Sequence, residues 1–294
     1  MLDIVQKFIN DVKHLKVAVI GETIIDEFIP VHYEGNSMKS VCPVYRLTGG
    51  EKQVQMGGAH AIANHLKSFV SHIDLITNTE NEIVKTRYID AYDGKKHTEI
   101  NTFNTSNFGE ITVDTNDYDV VIIADFGHGF CNKIKINNGF HLMCQTNSNN
   151  FGFNRTSKWK NHRKKSVCLD LREASLQMNK NISHKDNGDF ENDILELYNY
   201  EMNTDLMLVT LGGSGSAFTD GKFVKMNSAF PSDFNDSIGA GDTFFAFASI
   251  QASIQEEVKE LIIPSLAASL STTWLCNEKS VTPQTLLEYA SKFI

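Results

Sequence analysis

Nine consecutive residues, Asp236-Ser237-Ile238-Gly239-Ala240-Gly241-Asp242-Thr243-Phe244, carry the sharpest chemical signal in the sequence. The run behind them, Phe245-Ala246-Phe247-Ala248-Ser249-Ile250, is apolar almost all round, as a buried helix is. A Gly-Ala-Gly turn opening such a helix presents unpaired backbone N–H groups with little side chain in the way. The helix dipole adds partial positive charge there, so the turn suits an anion. An aspartate beside that site repels phosphate. Its chemical use is as a general base on a hydroxyl that attacks the phosphate. A structural use competes with this one, in which the glycines permit a tight turn and Asp242 caps the helix.

The elements that must hold this turn are legible as pattern. Short, nearly continuous apolar runs rich in β-branched residues recur at Val17–Ile20, Ile73–Ile76, Val120–Ala124, Phe140–Cys144, Ser166–Leu169 and Leu206–Thr210, and read as buried strands. Between them lie helical patterns. Ala59, Ile62, Ala63, Leu66 and Phe69 form one stripe, and Ile194, Leu197 and Tyr198 repeat its spacing within Asn192–Met202. Alternation of this kind predicts βαβ units and a mostly parallel, doubly wound sheet. Two polar, turn-rich stretches break the rhythm, Glu27–Gln55 and Thr86–Phe103. They carry alternating segments that predict a small antiparallel insertion beside the main sheet. Gln145–Lys165, rich in Asn and Lys, reads as a long loop.

The nine-residue motif is similar to the second signature of the ribokinase (PfkB-type) carbohydrate kinases, D-[ST]-x-G-A-G-D. The resemblance implies that Asp242 is the catalytic base and that the Gly239, Ala240 and Gly241 amides form the anion hole for the transferred phosphoryl group. Other segments follow in the family's order. Val17-Ala18-Val19-Ile20-Gly21-Glu22-Thr23-Ile24-Ile25-Asp26 resembles the first strand, which normally ends G-D-x-x-x-D. Asp26 matches the aspartate that holds sugar hydroxyls, and Glu22 replaces the earlier Asp. A loop-capping carboxylate is the plainer role for Asp26. Gly57-Gly58-Ala59-His60-Ala61 resembles G-G-A-x-N, where the glycines let the backbone approach the sugar; Ala61 stands where the family has Asn. Val209-Thr210-Leu211-Gly212-Gly213-Ser214-Gly215 resembles the nucleotide stretch V-T-x-G-x-x-G at the end of a core strand. Thr210, Gly212, Gly215 and Asp236 are thereby the cofactor-side candidates. Asp170-Leu171-Arg172-Glu173 resembles an N-x-x-E element, which implies that Glu173 organises Mg²⁺ through water. A helix-start acidic pair favoured by the dipole fits the same residues.

Two stretches resemble one branch of the family, the heptose-7-phosphate kinases. They are Val84-Lys85-Thr86-Arg87-Tyr88-Ile89, like K-T-R-[YV]-[IV], and Ile122-Ile123-Ala124-Asp125-Phe126-Gly127-His128-Gly129, like [VI]-x-D-[YF]-G-x-G. Arg87 could then meet a substrate phosphate through its planar fork, while His128 reads as a loop histidine. Cys144-Gln145-Thr146-Asn147-Ser148 departs from the D-P-[KN] expected after its strand. Arg155, Lys158, Lys160, Arg163, Lys164 and Lys165 form a basic run that reads as a solvated loop.

Composition removes several other classes. In 294 residues, 36 acidic against 27 basic side chains leave a formal charge of −9, which argues against a broad nucleic-acid footprint or an anionic-membrane surface. No apolar run approaches the roughly 20 residues of a spanning helix. The start shows no signal-peptide core, and five widely spaced cysteines form no C-x-x-C pair, so a cytoplasmic, reducing setting is expected.

The resulting expectation is one ribokinase-like α/β domain over residues 1–294, with a β lid from about 27–55 and 86–105 that pairs into a homodimer clasp. ATP and Mg²⁺ are the implied cofactors, with K⁺ as a further candidate. The expected reaction transfers the γ-phosphoryl group to a sugar hydroxyl, on a heptose or sugar phosphate. Two alternatives stay open at this point. One is another sugar or a nucleoside as acceptor; the other is a catalytically weak family member that binds or regulates.

Overall fold

All six apolar runs become strands of one sheet, and all but the half-buried edge run Ile73–Ile76 are buried on both faces. The structure, a computed structural model, describes residues 1–79, 82–103, 108–137, 139–145, 154–185 and 189–293. The chain opens with helix α1 (Leu2–Val12), then β1 (Lys16–Gly21), β2 (Thr23–Asn36), β3 (Pro43–Leu47), β4 (Gln53–Gly58), α2 (Ala59–Leu66) and β5 (His72–Ile76). Next come β6 (Ile83–Asp90), β7 (Lys96–Phe103), β8 (Ile111–Thr112), β9 (Val120–Asp125), β10 (Ile134–Lys135), β11 (His141–Cys144) and β12 (Lys164–Asp170). The last part holds α3 (Leu171–Met178), α4 (Phe190–Leu197), β13 (Thr204–Thr210), β14 (Ser216–Thr219), β15 (Val224–Asn227), α5 (Ala240–Ile254), α6 (Ile262–Ser271) and α7 (Pro283–Ala290).

The main sheet runs β15-β14-β13-β12-β11-β9-β1-β5. It is parallel from β13 to β5, and only the β14–β15 edge is antiparallel. Strand alternation divides its side chains. Val17, Val19 and Ile122 pack with α1, α2, α5, α6 and α7 on one face, while Ala18, Ile20 and Ile123 pack with α3 and α4 on the other. The strand order reverses at β1, with β5 on one side and β9 on the other. Such a reversal opens a crevice at the carboxyl ends of the strands. No helix among the described residues is long and apolar enough to cross a membrane.

A second sheet, β3-β2-β6-β7 with β4 also on β2, forms the lid. It differs from the expected antiparallel insertion at its centre, where β2 and β6 are parallel. The reason is positional, since β2 continues from β1 and β6 follows β5, two strands that already run parallel. Register then sorts the lid faces. Asp26, Phe28, Gln55, Lys85, Arg87 and Glu99 share one face; Ile25, Ile29, Leu47, Val54, Met56, Val84 and Ile100 share the other. Residues 104 and 105 of the expected lid, and residues 146–153 of the expected long loop, lie outside the described residues.

The basic run is only in part the solvated loop that its charge suggests, since Lys160, Arg163 and Lys165 are exposed while Lys158 and Lys164 turn inward. Lys164 is fully buried, with Nζ donating to Trp159 O at 3.0 Å and His162 O at 2.9 Å. Burial lowers its ammonium to about 8. Lys158 reaches inward to Asp125 at 2.7 Å, and Arg163 pairs with Asp205 at 2.7 Å. A count of charges along a chain cannot see the buried acceptors waiting for them.

Candidate active site

The Gly-Ala-Gly turn opens α5 as its sequence requires. Gly239 is the N-cap at φ +83°, a left-handed conformation that glycine adopts without strain, and no side chain caps the helix. Ala240 and Gly241 follow in the first turn, and α5 is then buried from Thr243 to Gln251. Four N–H groups of a helix start have no partner within the helix. Asp242 is the third helical residue, half-buried, and so is not the cap. Burial pushes its carboxyl from 3.8 up to about 7; Asp26 adds to the rise and Lys85 opposes it. A carboxyl poised near neutral pH is suited to taking a proton.

Two connected spaces meet at this turn. The larger, about 710 Å³, is lined by Thr210, Gly212 and Gly215 from the β13 end, by Ala240 and Gly241, and by an apolar wall that includes Leu211, Phe230, Phe234 and Ala268. Its size and its mix of apolar wall and backbone donors suit a nucleotide. The smaller, about 120 Å³, is lined by Gln145, Asp170, Glu173, Thr210, Gly241 and Asp242. Asp170, Thr210 and Gly241 border both.

Glu173 lines the smaller pocket while completing a capping box. Asp170 Oδ1 accepts the Glu173 N–H at 2.6 Å, and Glu173 Oε2 accepts the Asp170 N–H at 2.7 Å. The helix-start role is therefore established, and the same residue lines the space beside Asp242. Asp236 is buried and is held away from the larger cleft's lining. Both its oxygens accept from Lys96 Nζ of the lid, at 2.8 and 2.9 Å, and its Oδ1 accepts the Ile238 N–H at 3.2 Å.

Asp26 and Arg87 meet across the lid. Arg87 donates to Asp26 Oδ1 and, through Nε, to Glu99 Oε2 at 2.8 Å. Both Asp26 and Arg87 are buried, so the guanidinium that the sequence offered to a substrate phosphate is already held by two carboxylates. Burial raises Asp26 more than Arg87 lowers it. Gly57 lies against the same carboxylate, since a Cβ there would sit 2.5 Å from Asp26 Oδ2, and Gly58 is the N-cap of α2. Lys85 is two residues before Arg87 on the same lid face. It pairs in register with Asp26, and its charge bears on Asp26, Asp242 and His128. Sequence reading quoted Lys85 without giving it a role, although strand alternation already aligned it with Arg87. His128 is buried against Phe103, with ring centroids 5.4 Å apart, and burial lowers it to about 4.

Among the described residues, one group has the spacing of metal ligands: Glu22, Asp125 and Cys131, at the switch point. Its oxygens are engaged otherwise. Glu22 accepts the Phe126 and Phe130 N–H groups at 2.7 and 3.1 Å. Asp125 accepts from Lys158, from Trp159 Nε1 at 2.8 Å and from Asn154 Nδ2 at 3.1 Å. Burial first, then the Asp125 charge, raises Glu22. The cluster therefore ties the loops after β1, β9 and β11 together.

No family model matches the chain, and no curated protein matches it in sequence. Solved structures do. A ribokinase from Thermotoga maritima superposes with a TM-score of 0.68 at 13% identity, covering 94% of this chain and 99% of that one. A nucleoside kinase from Methanocaldococcus jannaschii gives 0.66 at 16% identity, covering 96% and 99%. Arabidopsis thaliana ribokinase, solved with ribose and ATP, gives 0.62 at 14% identity, covering 94% and 98%. The chain has the ribokinase-like fold.

Proposed function

We propose that the protein is an ATP-dependent carbohydrate kinase, and that its acceptor is a sugar that already carries a phosphate or another anion, such as a heptose phosphate. The observation that carries the first half is Asp242, a carboxyl raised to about 7 and set directly after the Gly241 amide at the start of α5, between a nucleotide-sized cleft and the Asp26 side of the lid. In this reading ATP lies along Thr210, Gly212 and Gly215 with its γ-phosphoryl group on the Gly241 N–H at the start of α5. Asp26 and the Gly57 backbone hold the sugar. Asp242 takes the proton of the acceptor hydroxyl as its oxygen bonds to phosphorus, the bond to the β-phosphate oxygen breaks, and ADP departs. The oxygen donors Asp170 and Glu173, beside Asp242 in the smaller pocket, fit Mg²⁺ held through water, which would neutralise charge on the phosphates. A cytoplasmic setting agrees with a need for ATP.

Lys85 supports the anionic acceptor. Asp26 and Glu99 already occupy Arg87, whereas Lys85 shares the lid face of Asp26 and forms no ion pair among the described residues. ADP release measured with ribose, fructose 6-phosphate, heptose 7-phosphate, heptose and nucleosides tests both halves. Stimulation by a phosphorylated sugar is expected. Lys85→Met should then raise KM for that sugar by about 10-fold or more while leaving KM for ATP within about 2-fold, the mark of lost ground-state binding. A preference for neutral sugars would overturn the anionic acceptor, and no stimulation by any of them would overturn the kinase.

A homodimer through the lid is part of the same proposal. The lid face turned from the site carries Leu47, Val54 and Ile100 at 65, 53 and 50% exposure beside Ile25, Ile29 and Met56, an apolar sheet face of a kind that marks association. Light scattering should give twice the chain mass, and Leu47→Asp should shift it to the monomer. A monomeric wild type would sink the clasp.

A further inference from the structure

Asn277, which no motif marked, touches both halves of this site. It lies in the turn between α6 and α7, where the Glu278 N–H donates to Leu275 O at 3.1 Å. Cys276 before it is buried and held at φ +49°, a left-handed conformation that is costly for a residue with a Cβ. Its Sγ lies 4.0 Å from Asp26 Oδ2. The Asn277 amide is wedged between two glycines of the site. A Cβ on Gly239 would sit 2.5 Å from Asn277 Oδ1, and one on Gly57 would sit 3.0 Å from Nδ2. Gln55, two residues before Gly57 on β4, accepts the Asn277 N–H at 2.8 Å. Nδ2 donates to Cys276 Sγ at 3.4 Å, while Oδ1, shielded from solvent, has no hydrogen-bond partner among the described residues.

A left-handed cysteine and an unpaired buried carbonyl are two costs in one turn. Neither improves packing in the core, and both fall where the lid meets the anion hole. We propose that Asn277 is a positioning residue for phosphoryl transfer. Its amide holds Gly239 in the conformation that aims the Gly241 N–H, and Gln55 anchors it to the lid. The proposal rests on the kinase reading above. Asn277 forms no bond to the reacting atoms. It acts through Gly239, so its loss should be felt when the phosphoryl group moves and not when substrates bind.

The experiment is steady-state kinetics on Asn277→Ala, Gln55→Ala and the double variant, with ATP and the panel sugar that best stimulates the wild type. Expected is a fall in kcat of about 10-fold for Asn277→Ala, with both KM values within about 2-fold. Gln55→Ala should move kcat in the same direction, and the double variant should be no slower than Asn277→Ala, since the two act along one path. An unchanged kcat in folded Asn277→Ala, whatever its melting temperature, overturns the proposal. So does a rise in KM alone. If Asn277→Ala does not fold, the less intrusive Gln55→Ala decides, and its retaining wild-type kcat overturns the proposal. A wild type inactive with every sugar overturns the kinase reading and this inference with it; an active wild type with unaffected variants overturns this inference alone.

Discussion

Asp242→Asn is expected to lower kcat by at least about 10²-fold while ATP affinity stays level or improves. An alcohol is a poor nucleophile at neutral pH, and a positioned base typically contributes about 10²–10⁴-fold. Asparagine keeps the shape and cannot take the proton. It also removes a negative charge from beside the triphosphate. Two pH signatures separate this from a structural role. Because the carboxyl must be ionised to act and is raised to about 7, wild-type kcat should climb with pH through about 7 and level off above it; Asp242→Asn should lack that limb. Stability should move the other way. Between the ordinary 3.8 and about 7 the group is protonated in the folded chain and ionised in the unfolded one. Its contribution to stability is therefore full below the lower value and lost as pH rises through the upper. Asparagine never ionises, so its melting temperature should match wild type near pH 4 and exceed it at pH 8. A stable variant with near wild-type turnover would sink the mechanism.

That prediction was legible before any coordinates, because a Gly-Ala-Gly turn before an all-apolar helix has few uses and a carboxylate next to it has fewer. The core strands were legible for a similar reason, since a strand buried on both faces needs an unbroken apolar run, and Val17–Ile20 and Leu206–Thr210 are such runs. What sequence could not supply was pairing. Nothing local tells Arg87 that Asp26 and Glu99 will surround it, Lys96 that Asp236 lies 140 residues away, or Lys158 that Asp125 is buried beneath it. Lys164 illustrates the limit, because a buried lysine and a solvated one share the same letter. Asn277 lies beyond it too, since its role depends on two glycines from other parts of the chain. The parallel β2–β6 pair was missed because period-two patterns report which face a residue takes and not which way its neighbour runs.

The Asp26–Arg87 pair leads to the second large effect, because Asp26 is a buried, ion-paired carboxylate and not a loop cap. Asp26→Ala removes the group proposed to hold the sugar, so kcat/KM for the acceptor should fall at least about 30-fold, the equivalent of about 2 kcal/mol. It also strips a buried guanidinium of its nearer counter-charge. Breaking one side of a buried pair costs about 3–5 kcal/mol, and Glu99, which remains, puts the expected loss near about 3 kcal/mol. Arg87→Met should destabilise in the same way by orphaning Asp26. Burial raises Asp26 even with Arg87 beside it, and replacing a buried ion pair by apolar residues of similar size is often neutral in stability. Replacing both partners, Asp26→Val with Arg87→Met, should therefore recover most of the stability that either single change loses. Activity should not recover, because the sugar still lacks its acceptor carboxylate. Denaturant melts and kinetics on the four proteins read the two effects separately. If the double variant regains neither stability nor activity, the pair supports the lid fold by something other than charge balance. If it regains both, Asp26 is not the sugar ligand.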